Sequence, residues 1–215
     1  MRLDALAFRG AIGVIDDDCD TLDGITPQSK NVVVTDSRDL ESLLLGTRAL
    51  DKVLAEFGNP KSIQALESKE GESVREALFR RALPFGRLRW HSKRNGGSLS
   101  FKNLRPARFA DEKAWTFDLE ELFAVSAQGL STSPLQLKQE LSNLPNHDPF
   151  LLCHGHDLVD ILSIGLRRVL GTNSPGRERV ASTLRSGADA SELEVTQLWG
   201  KIRSWESANT PYRVL

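Results

Sequence analysis

The chain has 215 residues, 40% of them hydrophobic and 27% charged, with a net charge of −1. That is the make-up of an ordinary soluble globular protein, and it excludes a strong overall pull toward nucleic acid or membrane, so any such pull must come from local patches. With only Cys19 and Cys153, a disulfide framework is excluded too, and a reducing cytoplasm is the expected setting. No apolar run approaches the ~20 residues of a membrane span, and the N-terminus lacks the sections of a signal peptide, so no membrane contact is expected.

In chain order, Ala11 to Ile15 (AIGVI) is a short apolar run that reads as a strand buried on both faces, and it stops in Asp16-Asp17-Asp18-Cys19-Asp20. Thr21 to Lys30 holds Gly24 and Pro27 and reads as a loop, followed by a second buried strand at Asn31 to Thr35 (NVVVT). Apolar residues at helical spacing from Ser37 to Phe57 predict one helix, with Ser37 as N-cap and Gly58-Asn59-Pro60 as its stop. A second helix is expected from Ser62 to Ala82, with an interruption near Gly71. Arg87 to Trp90 and Ser98 to Lys102 flank Asn95-Gly96-Gly97 and predict a hairpin. Helices are expected at Asp118 to Gln128 and at Leu135 to Leu144, the latter opened by Ser133-Pro134. Phe150 to Cys153 (FLLC) reads as another buried strand, running into His154-Gly155-His156-Asp157 and a helix to Leu170. Helices over Arg177 to Arg185 and Ser191 to Glu206 close the chain. The expected units are 1–58 with the acidic strand ends, 59–148 with helices and a basic hairpin, and 149–215 with a final strand and C-terminal helices; the expected seam lies at residues 58–62.

Asp16, Asp18 and Asp20 alternate directly after a strand, where only cations or hydrogen-bond donors offset their mutual repulsion. Magnesium suits such a site, since it takes hard oxygen ligands. The plainer reading is a solvated acidic turn. A calcium loop fits worse, because Thr21 stands where its glycine belongs and Pro27 where its glutamate belongs. Asp36, Asp39 and Glu41 form a second cluster after the second strand, which a parallel sheet would bring to the same edge. Asp36 is the best metal candidate there, while Asp39 and Glu41 suit a helix first turn without any function.

The middle third is basic, with Arg87, Arg89, Lys93, Arg94 and Lys102 interleaved with Trp90 and Phe101. On a hairpin these could track a nucleic-acid backbone and stack bases; the alternative is a solvated edge. His156 and Asp157 at the strand-to-helix turn are candidates to meet a phosphate, against a plain capping role. Trp115, Trp199 and Trp205 read as packing residues, and Cys19, flanked by acids, as a poor nucleophile.

GVIDDDCDTLDG, NVVVTDSRDLESLLL and LLCHGHDLVDIL, in this order, resemble a Toprim-like family catalogued as domain of unknown function 4435, related to overcoming-lysogenization-defect nucleases. The resemblance implies a Rossmann-like, mostly parallel sheet, magnesium- or manganese-dependent cleavage of DNA or RNA in phage defence, and a partner ATPase in some systems. It maps the paired acids of a Toprim site to Asp16 and Asp18, with Asp20 and Asp36 in support. The family's general acid/base glutamate, on an earlier strand, has no counterpart: Met1 to Gly10 contain one acid, Asp4, within Leu3 to Phe8, a stretch expected to be the tail of a helix. The alternative expectation is therefore a truncated or catalytically incomplete module that docks on an ATPase or on another copy of itself.

Overall fold

The computed structural model describes residues 9–97 and 99–215; the expected helix tail over Leu3 to Phe8 and its Asp4 lie outside them. The fold is α/β and mostly helical. Its parallel sheet has two strands, β1 (Gly13–Ile15) and β2 (Val32–Val34), in register Gly13 to Val32, Val14 to Val33 and Ile15 to Val34. A two-residue antiparallel pair, β3 (Ala110–Asp111) and β4 (Thr116–Phe117), stands apart from it.

Helices α1 (Leu40–Leu45) and α2 (Ala49–Phe57) take the place of the single helix expected over 37–57, broken at Gly46. The N-cap of α1 is Asp39 rather than Ser37, in a reciprocal capping box with Ser42. Then come α3 (Pro60–Glu70), started by Asn59 and ended by left-handed Gly71, and the long α4 (Val74–Arg94), capped by Ser73 and Glu76. Next are α5 (Leu119–Gly129), α6 (Pro134–Ser142), α7 (Pro149–Leu152), α8 (Gly155–Arg168), α9 (Arg177–Gly187), α10 (Ala190–Leu193) and α11 (Gln197–Ala208). None of the described helices is long and apolar enough to cross a membrane.

The structure corrects three further expectations. The basic hairpin is absent: Arg87 to Trp90 lie inside α4, and Asn95-Gly96-Gly97 ends that helix, with φ of 89° and 67° at the two glycines. Left-handed glycine serves a helix end as well as a hairpin turn, so the turn signal is real and only the element before it differs. FLLC is not a strand but the helical turn α7, because Asp148 accepts from the Phe150 amide and Pro149 occupies the first helical position. The parallel strands are also not buried on both faces. Val14 is 49% and Ile15 42% exposed, β2 is half-buried, and the main core contains no residue of either strand.

That core is built by the helices, with Leu45, Leu50, Val53, Leu78, Leu88, Leu122, Leu158, Ile161 and Leu162 buried at its centre. Trp115 is fully buried and donates to the Ile161 carbonyl at 2.8 Å; a Cβ on Gly165 would come within 2.6 Å of its ring. Trp205 is buried and donates to Asn31, whereas Trp199 is only half-buried. The crossing of α4 over α7 depends on Gly86, where a Cβ would lie 2.6 Å from the Leu152 carbonyl oxygen. Backbone cannot swing aside as a side chain can, so Gly86→Ala is expected to cost about 1–3 kcal/mol, read as a lower urea midpoint at unchanged slope.

Candidate metal centre at the strand ends

The acidic run leaves β1 and folds back at once. Asp18 and Cys19 take left-handed φ values of 48° and 67°, which turns the Cys19 side chain inward. Cys19 is fully buried and packs with Trp90 and Leu152 in a small second cluster beneath the loop. Asp17, also fully buried, accepts from the Thr21 amide at 3.1 Å and from the Thr21 hydroxyl, forming the 3-10 turn Thr21–Asp23, while its Oδ2 has no partner. The alternation of the run thus splits it: Asp17 and Cys19 go in, Asp16 and Asp18 stay out.

Arg38 locks this loop in place, and sequence reasoning misses it. It is 5% exposed; Nη1 donates to Cys19 Sγ at 2.6 Å and to the Leu152 carbonyl at 3.1 Å, and Nη2 lies 3.6 Å from Asp18. Its carbonyl accepts from the amides of Asp17 and Asp18, and its own amide donates to the Phe150 carbonyl. One residue therefore joins the ends of β1 and β2 to α7. Its only signal in the sequence is a lone cation within DSRD.

At the carboxyl edge of the parallel pair, Asp16 feels the charges of Asp39, Asp18 and Glu41. Partial desolvation first, then those three carboxylates in that order, raise its pKa, and the Leu40 amide offsets this only in part. Asp16 has no ion pair among the described residues. Asp39 is buried, with Oδ1 accepting from the Ser42 amide and hydroxyl and Oδ2 from the Gly155 amide at 2.7 Å. A Cβ on Gly155 would come within 2.3 Å of Asp39 Oδ1, so glycine is what lets the start of α8 approach this close.

The other expected ligands are drawn elsewhere. Asp20 pairs with Lys93, which also donates to the Asp18 carbonyl. Asp36 accepts from the Leu198 amide at 3.0 Å and lies 3.6 Å from Lys201, so it caps α11. Of the other two residues expected to hold metal, Asp18 lies 3.6 Å from Arg38, and Asp16 feels the charges of Asp39, Asp18 and Glu41, the last of which pairs with Arg185 at 3.1 Å.

At the turn into α8, Asp157 does not cap the helix. It takes a bidentate contact from Arg89, at 2.6 and 2.8 Å, with side chains 16% (arginine) and 5% (aspartate) exposed. His154 is held at about 4 by burial and then by Arg89, so its ring is neutral at pH 7; it stands edge-on to the exposed His156, 5.0 Å away.

The residues expected to contact nucleic acid serve mostly to hold the molecule together. Arg87 donates to the carbonyls of Leu141 and Leu144, Arg89 stacks on Phe101, and Trp90 is 1% exposed and donates to Asp23. Arg94 lies over the Trp90 ring and 3.5 Å from Asp23. Lys102 is exposed. The end of α4 thus clamps the acidic loop from below.

Burial pushes the Cys19 thiol up to about 11, although Arg38 pulls the other way, and raises Cys153 as well. Both thiols are therefore expected to stay unlabelled by iodoacetamide at pH 8 in the native protein and to react fully in urea. Rapid native labelling of either would show that its cluster opens.

The donor set suits a hard cation in kind, since it consists of carboxylate oxygens with one member, Asp16, without a counter-charge among the described residues. Among the described residues no group of three or more His, Cys, Asp or Glu side chains is arranged to hold a metal ion as it stands. Magnesium does not require such a cage, because it is commonly held by one or two carboxylates together with waters and substrate phosphate. No protein-family model, curated protein or solved structure matches the chain.

Proposed function

We propose that this chain is a Toprim-like, magnesium-dependent phosphodiesterase core acting on DNA or RNA. What carries the reading is an exposed Asp16 at the carboxyl edge of two parallel strands, subject to the charges of Asp39, Asp18 and Glu41 and without an ion pair among the described residues. Carboxylates gathered there gain from a divalent cation what they lose to one another. Asp16 and Asp18 would hold it, with Glu41 beside them. Asp39 would act as a positioning residue, since both its oxygens are engaged by Ser42 and Gly155. Bound magnesium or manganese would neutralise charge on a phosphate and activate water. Among the described residues, the neutral ring of His154, exposed His156 and exposed Lys102 would be available to meet a substrate.

A second reading is favoured by one observation: Arg87, Arg89, Trp90 and Lys93 are engaged inside the molecule. On that reading the domain binds the cation but cleaves nothing, and docks on a partner such as an ATPase.

Incubation with supercoiled plasmid and with RNA, with and without magnesium, separates the two. Cleavage that needs magnesium and is lost in Asp16→Asn and Glu41→Gln supports the phosphodiesterase. Magnesium binding without cleavage supports the docking module, and cleavage at full rate by Asp16→Asn overturns the site.

A further inference from the structure

Among the described residues the parallel sheet has two strands, and its two edges are treated differently. The outer edge of β2 is closed by α11: Lys201 donates to the Val34 carbonyl and Trp205 to Asn31. Lysine laid on a strand edge is a common guard against further pairing. The outer edge of β1 carries no strand among the described residues. Gly13 donates to the Asn31 carbonyl and Ile15 accepts from the Thr35 amide, so both turn their backbone groups toward β2. By the alternation of a strand, Ile12 and Val14 turn theirs outward. Val14 and Ile15 are also the exposed apolar residues of the strand.

The charges along this edge are polarised. Exposed Arg9 precedes β1, while exposed Asp16 and Asp18 follow it. A parallel partner would stack acids on acids. An antiparallel copy of the same strand sets each basic end beside the other's acidic end.

We propose that two copies of this chain pair antiparallel through the outer edges of β1, about a two-fold axis at Gly13. That register sets Val14 opposite the partner copy's Ile12 as a hydrogen-bonded pair and Ile15 opposite its Ala11. It brings Arg9, just before the bend at Gly10 (φ 82°), to the acidic end of the other β1. Gly13 meets its own copy as a non-hydrogen-bonded pair, where the absence of a side chain allows the closest approach. The Tyr212 ring lies where a Gly10 side chain would point. The contact is isologous and closes on itself. It joins two half-sheets into four strands and supplies each carboxylate cluster with a cation from the other copy.

Sedimentation equilibrium of the full chain is expected to show a dimer, weakened by salt and by Arg9→Glu, the latter by about tenfold or more in Kd. Val14→Pro keeps the β2 ladder, because the amide it removes faces outward; it is expected to give a folded monomer, as is Val14→Lys. In Gly13→Cys the introduced thiols would lie about 4.5 Å apart at their Cα atoms, within disulfide range, and oxidation should yield a covalent dimer under native conditions. Should Val14→Pro fail to fold, Arg9→Glu and the Gly13→Cys cross-link decide. A monomer at the highest soluble concentration overturns the proposal. So does a dimer that ignores Arg9→Glu and Val14→Lys and forms no Gly13→Cys cross-link. These readouts are taken without divalent cation, since Arg9 and magnesium would share Asp16 and Asp18. They need no cleavage assay, so they can fail while the phosphodiesterase reading stands.

Discussion

Arg89→Ala is expected to destabilise the protein by roughly 3–5 kcal/mol, a large loss for a single polar substitution. Arg89 and Asp157 form two parallel hydrogen bonds, at 2.6 and 2.8 Å, and both side chains are nearly out of water. The guanidinium is also packed against Phe101, with 4.2 Å between its carbon and the ring centroid. Removing the arginine leaves a carboxylate in the first turn of α8 with neither its counter-ion nor water around it. Most of the cost comes from that stranded charge rather than from the net worth of the pair. The double variant Arg89→Met with Asp157→Leu should therefore recover most of the loss, and a double-mutant cycle in urea measures the coupling. Because Arg89 also depresses the His154 pKa, Arg89→Ala should raise the titration midpoint of that ring, followed by NMR. A loss below ~1 kcal/mol, the range of exposed pairs, would show that Arg89 faces solvent after all and would reopen its role as a nucleic-acid contact.

How much of this is legible in the sequence varies by element. Where a helix start is written in covalent terms, sequence and structure agree: Ser133 before Pro134 caps the helix it announces, and the helix expected from Asp118 is capped by it, whereas Asn59-Pro60, read as a stop, also starts the next helix. The break near Gly71 is visible for the same reason, since left-handed glycine ends a helix with little strain. FLLC misleads because four apolar residues fit a strand and a buried helical turn equally, and only the Asp148-Pro149 signal beside them decides for the turn. The hairpin fails because Asn-Gly-Gly specifies positive φ and says nothing about whether a helix or a strand precedes it. Arg87, Arg89 and Trp90 look like an alternating strand, but their partners lie in α6, α8 and the acidic loop, which no local pattern can reveal. At the strand ends, the exposure of Asp16 and Asp18 follows from their place after β1, whereas the engagement of Asp36 by α11, of Asp39 by Ser42 and Gly155 and of Glu41 by Arg185 depends on distant elements that no local pattern reveals.

Asp16→Asn is expected to act in opposite directions on the free and the magnesium-loaded protein. Partial burial and the charges of Asp39, Asp18 and Glu41 raise the Asp16 pKa above its ordinary value of 3.8. A carboxylate whose folded pKa lies above its unfolded one lowers stability at neutral pH. That penalty is relieved as the pH falls through the folded pKa, where the native state takes up the proton first. The amide removes the charge, so the metal-free variant should melt at or above the wild-type temperature at pH 7, and the gap should close toward acid. The gain is small, because Asp16 is exposed and water screens it. With magnesium the order reverses. A ligand at a hundredfold excess over its Kd stabilises the native state by about 2.7 kcal/mol, and the wild type should gain this while Asp16→Asn gains little. Calorimetric titration should show the Kd for magnesium rising about tenfold or more, equivalent to ~1.4 kcal/mol per decade. A residue that serves only the fold would lower stability when replaced, with or without the ion. Only a residue held under repulsion for the sake of a cation would raise it in one condition and lose the response in the other. A metal-free variant less stable than wild type, or one that binds magnesium as tightly, would remove Asp16 from the site.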